Sequence, residues 1–131
     1  MGGTRDRASA PLNPEAARTF ADEWIECWNS HDLDRILSHY ADDICFHSPR
    51  AHLVTGTSPV NGKSALRAYW SKALSQSPDL EFSLIEYFLG ADCLSVHYAN
   101  HRDQRVIETF VFGEEGLVIE SIACYQRPHN S

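Results

Sequence analysis

From Leu80 to Gln126 the sequence reads as strands separated by short turns, and this run constrains the fold more than any other feature. Gly90-Ala91-Asp92 leads into Cys93–Asn100, His101–Gln104 into Arg105–Phe112, and Gly113-Glu114-Glu115-Gly116 into Leu117–Gln126. Connections this short permit only antiparallel neighbours, so the second half of the chain is a four-stranded meander. Leu80, Phe82 and Leu84 alternate in one phase, and Ile85, Tyr87 and Leu89 in the other. A change of phase inside one strand implies a bulge near Leu84-Ile85, hence a bent strand and a curved sheet. The last two strands are apolar in both phases, which implies cover on both faces.

The first half has helical periodicity. Asn13-Pro14-Glu15 is a helix start, with a capping side chain, a first-turn proline and a carboxylate at the positive end of the dipole. Phe20, Trp24 and Trp28 then recur every fourth residue to about Asn29, placing three rings on one stripe. A second helix after Ser30 or Asp32 carries Leu33, Ile36, Leu37 and Tyr40 on one face. Ile44–Ser48 is a short strand ended by Pro49, Arg50–Asn61 reads as a loop, and a third helix runs from near Gly62 to Ser77-Pro78. This order gives an α+β fold, with helices gathered on the concave side of a strongly curved, mainly antiparallel sheet. Residues 13–127 form one domain, preceded by a flexible tail over 1–12; a chain of 131 residues supports a single core without metal or disulfide.

Eleven Lys and Arg against eighteen Asp and Glu leave a charge of −7 with no basic cluster, so nucleic acid is not an expected partner. No apolar run spans a bilayer, and none has the form of a secretory leader. Cys27, Cys45, Cys93 and Cys124 are widely spaced among apolar residues and read as reduced core thiols of a cytoplasmic protein. Seven histidines fall in no tight ligand motif, so neither metal nor cofactor is expected.

Several strings resemble the nuclear transport factor 2 superfamily, in particular its SnoaL-like polyketide cyclase and ketosteroid isomerase-like branches. They are Trp28–Asp34, Tyr40–Pro49, Gly62–Trp70, Val106–Phe112 with the Gly116 turn, and Tyr125. The resemblance implies a cone-shaped fold, a bent sheet wrapped around the long first helix, a deep apolar pocket and a homodimer through the outer sheet face. Against the ketosteroid isomerase branch the site is altered. Ser48 stands where that branch has its aspartate base, and Trp24 and Trp70 stand where it has tyrosines. Tyr40 is retained, and Glu108 keeps an acid on the penultimate strand.

Glu108, between Val106 and Phe110, is the leading candidate for chemistry, because desolvation would raise its pKa toward neutrality. His47, next to Ser48, is the second candidate, although alternation turns it away if Phe46 and Ser48 face inward. Expected pocket residues are Trp24, Tyr40, Phe46, Ser48, Trp70, Tyr98, Asn100, Phe110 and Tyr125; Trp28 is expected to be plain core, and Arg50 and His52 to sit at the mouth. The function implied is proton transfer on a small hydrophobic carbonyl compound, as in isomerisation, cyclisation or dehydration, without a cofactor. The alternative is a non-catalytic module that binds a small apolar ligand.

Overall fold

In the computed structural model Arg7 and residues 12–127 are described. Helix α1 spans Pro14–Ser30 and is capped by the Asn13 side chain, which accepts from the Ala16 N–H at 2.7 Å. It ends at His31, which adopts a left-handed conformation (φ 62°). Helix α2, Leu33–Leu37, starts at Asp32, whose carboxylate accepts from the N–H groups of Asp34 and Arg35. It is one turn shorter than the apolar spacing suggests: Tyr40 opens strand β1, Tyr40–His47, instead of closing the helix.

The stretch expected to be a loop folds. Helix α3 occupies Pro49–Thr55 and strand β2 Val60–Asn61. Ser48-Pro49 repeats the Asn13-Pro14 signature, with the Ser48 hydroxyl accepting from the Arg50 N–H at 3.2 Å and a proline in the first turn. Gly56, at φ 79°, stops the helix by returning its N–H to the His52 carbonyl at 2.8 Å. Helix α4 spans Lys63–Gln76, and strands β3 (Ser83–Leu89), β4 (Cys93–Ala99), β5 (Arg105–Phe112) and β6 (Val118–Tyr125) form the meander.

The six strands make one curved, open sheet in the order β2-β1-β6-β5-β4-β3. All pairs are antiparallel except β1 with β6, which are parallel. That long-range pairing has no local sequence signal, yet it joins β2 and β1 to the meander in one sheet. The register of β3 on β4 shifts between Leu84 and Glu86, at the bulge implied by the change of phase. Leu84 and Tyr87, three residues apart, consequently both pack on the core.

The core lies between the helices and the inner sheet face, around the stripe Ala17, Ala21, Trp24 and Trp28 of α1. Phe110 is fully buried there, edge-on to Phe20 and Trp24 at 5.0 and 5.1 Å. Asn29 ties α1 to the entrance of β3. Its amide donates to the Phe82 carbonyl (3.0 Å) and its carbonyl accepts from the Phe82 N–H (2.7 Å), while His31 Nε2 lies 2.8 Å from the Leu80 carbonyl. Of the tail expected over 1–12, Arg7 pairs with Gly113 through the backbone and with Asp92 through an ion pair of 3.1 Å; apart from Leu12 the rest lies outside the described residues. The cysteines are not uniformly core: Cys27 is buried, Cys45 and Cys93 are half-buried and Cys124 is exposed. No helix among the described residues is long and apolar enough to cross a membrane.

Candidate functional site

A cavity of about 100 Å³ opens between the inner sheet face and helices α1, α3 and α4. Drug-sized ligands occupy roughly 300–1,000 Å³, whereas a cavity of about 150 Å³ takes a benzene ring, so this space suits a single small ring or less. Its aromatic wall follows from local geometry. Trp24 and Trp28 are one turn apart on α1, and the Asn29 clamp lays Phe82 against Trp24 at 5.8 Å and against Tyr98 at 4.4 Å. Trp70 of α4 meets Trp28 and Phe46 edge-on at 5.0 and 5.4 Å.

Glu108 is the carboxylate of this wall. On β5 the side chains of Val106, Glu108 and Phe110 all point inward, and Glu108 is only 4% exposed. Pairing sets Glu108 opposite Val96 of β4 and Ala123 of β6, which brings Tyr98 and Ser121 to its two sides. The Tyr98 hydroxyl donates to Oε1 at 3.3 Å and the fully buried Ser121 hydroxyl to Oε2 at 2.9 Å. Burial raises the pKa of Glu108 from 4.5 to about 7, and the two hydroxyl hydrogen bonds pull against that rise without cancelling it. At neutral pH the group is therefore divided between acid and base forms. The same burial, with the Glu108 charge nearby, lifts the Tyr98 phenol well above 10 and Tyr125 to about 12, so both remain donors.

Other polar groups complete the wall. Arg50, on α3, lies over the Tyr125 ring at 5.8 Å from its centroid. Trp28 is 5% exposed and its indole Nε1 has no hydrogen-bond partner among the described residues; neither ring nitrogen of His101 has one, Nε2 standing 3.6 Å from Asp79. Buried polar atoms of this kind are rare enough to call for an explanation.

Trp24, Phe46, Trp70, Tyr98, Asn100, Tyr125 and Glu108 line the cavity; Tyr40, Ser48, Phe110 and His47 do not. Tyr40 lies behind the wall, with its hydroxyl accepting from Trp24 Nε1 at 2.9 Å. Ser48 caps α3, its hydroxyl accepting from the Arg50 N–H, and Phe110 is closed off by Phe20 and Trp24. Alternation along β1 carries His47 to the outer sheet face, 3.1 Å from Glu120, away from the cavity. Asn100 is committed to its own turn, accepting from the N–H groups of Arg102 and Gln104 and donating to the Gln104 side chain. Trp28, expected to be plain core, is cavity wall. Arg50 lines the cavity from a helix and not a loop, while His52 stands outside it. Tyr69, Phe82 and His101 are wall residues that the sequence reading did not single out. The Tyr69 contact follows from its place one turn before Ala73 and two before Gln76 on α4, which also line the cavity.

No curated protein sequence matches the chain. Among solved structures it is similar to a SnoaL-like protein of unknown function from Burkholderia thailandensis, at 38% identity over 89% of this chain and 99% of that one, with a TM-score of 0.87. It shares its fold with a candidate ketosteroid isomerase from Kribbella flavida (14% identity, 88% and 81% coverage, TM-score 0.64). It shares it also with SalBIII, an epoxide hydrolase/cyclase-like enzyme of pyran ring formation in the polyether salinomycin (16%, 87% and 93%, 0.68). The family model for the SnoaL-like domain matches residues 21–125, and with the 38% relative it shows that this chain belongs to the SnoaL-like family.

Proposed function

We propose that this protein is an acid–base enzyme acting on a small hydrophobic carbonyl compound, in the manner of an isomerase, cyclase or dehydratase, with Glu108 as the group that takes and returns the proton. The observation that carries this reading is the position of Glu108: a buried carboxyl on the wall of an aromatic cavity, held by two hydroxyls, with its pKa moved to about 7. A general acid–base group works best with a pKa near the ambient pH. Tyr98 fixes the carboxyl from the cavity side, and the unpartnered Trp28 N–H is a donor for the substrate oxygen as negative charge develops there. Arg50 favours substrates that carry additional negative charge toward the mouth. The cyclase-like neighbour that forms a pyran ring supports chemistry of this class on this fold.

The test is enzyme-dependent exchange of α-protons for deuterium in monocyclic ketones such as cyclohexanone, followed by NMR in heavy water. Exchange accelerated by the protein and lost in Glu108→Gln supports the proposal. Binding of the ketones without exchange supports the second reading, a binding module, which one observation favours: the position of the branch's aspartate is Ser48, committed to capping α3.

We also propose a homodimer. Ile85, Phe88 and Ile107 are exposed at the β3–β5 end of the sheet, where a second copy would bury them.

A further inference from the structure

We propose that Cys45, His47 and Glu120 form a zinc site on the outer face of the sheet. Cys45 and His47 are two residues apart on β1, so their side chains emerge on one face, and the parallel pairing of β1 with β6 sets Glu120 directly opposite Cys45. His47 Nε2 lies 3.4 Å from Cys45 Sγ and 3.1 Å from Glu120 Oε2, and the three ligating atoms are all within 4.8 Å of one another. Zinc bonds of about 2.3 Å to sulfur and about 2.0–2.1 Å to nitrogen and oxygen, at tetrahedral angles, set ligand atoms roughly 3.3–3.6 Å apart. Two edges of the cluster are thus close to those of a tetrahedral site before any ion enters.

A simple His47–Glu120 ion pair accounts for less of the geometry. One imidazole nitrogen carries one proton or one lone pair, so Nε2 serves either the thiol or the carboxylate. A cation at the centre engages all three. Thiolate with imidazole and carboxylate suits Zn²⁺ and not Mg²⁺ or Ca²⁺, which take oxygen ligands. On binding, the Cys45 thiol gives its proton to solvent and the fourth position is left to water. The His47 and Glu120 side chains are 37% and 30% exposed, so an ion has access. Glu120 is adjacent to Ser121, whose hydroxyl points inward to Glu108, so this site and the cavity lie on opposite faces of β6.

Tag-free protein, stripped with chelator, is titrated with Co²⁺ alone. The expected result is one ion per chain, with a thiolate-to-cobalt charge-transfer band in the near ultraviolet, intense tetrahedral ligand-field bands in the visible, and displacement of both by Zn²⁺. Cys45→Ser should abolish the charge-transfer band. His47→Gln and Glu120→Gln should each weaken binding by at least about 10-fold, the lower end of what loss of a mere outer-shell partner costs. Cys124→Ser, which removes the exposed cysteine of the same strand β6, should leave the spectrum unchanged. Should Cys45→Ser fail to fold, His47→Gln decides the matter, since it keeps the thiol. The proposal is overturned by weak cobalt binding without a charge-transfer band, by a band that survives Cys45→Ser or vanishes in Cys124→Ser, or by wild-type affinity in His47→Gln.

Discussion

Replacing Glu108 by glutamine keeps the shape of the side chain and removes the one proton at issue. Raising a carboxyl from 4.5 to about 7 means that burial, net of the two hydroxyl hydrogen bonds, disfavours its charged form by about 3 kcal/mol. The unfolded chain releases this proton near pH 4.5 and the folded chain holds it until about 7, so the folded state binds more protons across that window. The Glu108 contribution to wild-type stability should therefore fall as pH rises from about 4.5 to about 7, by up to about 3 kcal/mol, and stay level on either side. Glutamine is neutral throughout, and the rotatable hydroxyls of Tyr98 and Ser121 can serve its amide.

Glu108→Gln should accordingly melt close to wild type at pH 4.5 and on the order of 10 °C higher at pH 8. His39, whose pKa burial lowers, adds an opposite slope, but it is common to both proteins and cancels in the difference. The assay is thermal denaturation of both proteins across pH 4.5–8, paired with the deuterium-exchange assay on the same samples. Exchange should drop by roughly 10²–10⁴ while stability rises. A variant that melts lower than wild type at pH 8, or a melting difference that does not change with pH, refutes the reasoning and leaves Glu108 a structural hydrogen-bond acceptor.

Trp28→Phe removes the unpartnered N–H and keeps the ring, so its Tm should stay within a few degrees of wild type while ketone exchange falls about 10-fold or more; unchanged exchange would deny the indole its role. Trp24→Phe strips Tyr40 of its donor in a buried site, and chemical denaturation should show a loss of about 1–3 kcal/mol. Asn29→Ala deletes both hydrogen bonds to the Phe82 backbone and should cost about 1–3 kcal/mol, with Trp24 fluorescence reporting the release of Phe82. Ile107→Asp should convert a dimer into a monomer in light scattering, and a monomeric wild type at micromolar concentration would remove the dimer proposal.

What was legible in the sequence was what short-range chemistry determines. The Asn13-Pro14 start, the phase change at Leu84-Ile85 and the turns of the meander each depend on a few neighbouring residues. Glu108 was legible because alternation on β5 leaves an acid between Val106 and Phe110 no outward choice. Helix α3 carried the same cap signature at Ser48-Pro49, but the glycine, serine and proline that follow outweighed seven residues of helix. The Cys45–His47–Glu120 group was not legible at all. It depends on a parallel pairing between strands 73 residues apart from His47 to Glu120, and no local pattern encodes that register.

An acid on the fifth strand, with none at Ser48 after the first, bears on the type of reaction. With Ser48 bound into the α3 cap, the described cavity wall carries a single carboxyl, and its phenols are held protonated to pH values well above neutrality. One group with a pKa of about 7 takes a proton from carbon in its base form and then holds that same proton as an acid. Returning it to a different carbon of the same substrate completes an isomerisation with no second catalyst. Hydrolysis of an epoxide or loss of water instead requires an acid and a base at once, and His101, a wall residue whose ring nitrogens make no hydrogen bond among the described residues and whose Nε2 stands 3.6 Å from Asp79, is the group available for the second role. His101→Gln therefore separates the two: it should leave ketone α-proton exchange within about two-fold of wild type. A loss comparable to that in Glu108→Gln would show that the site works as a pair.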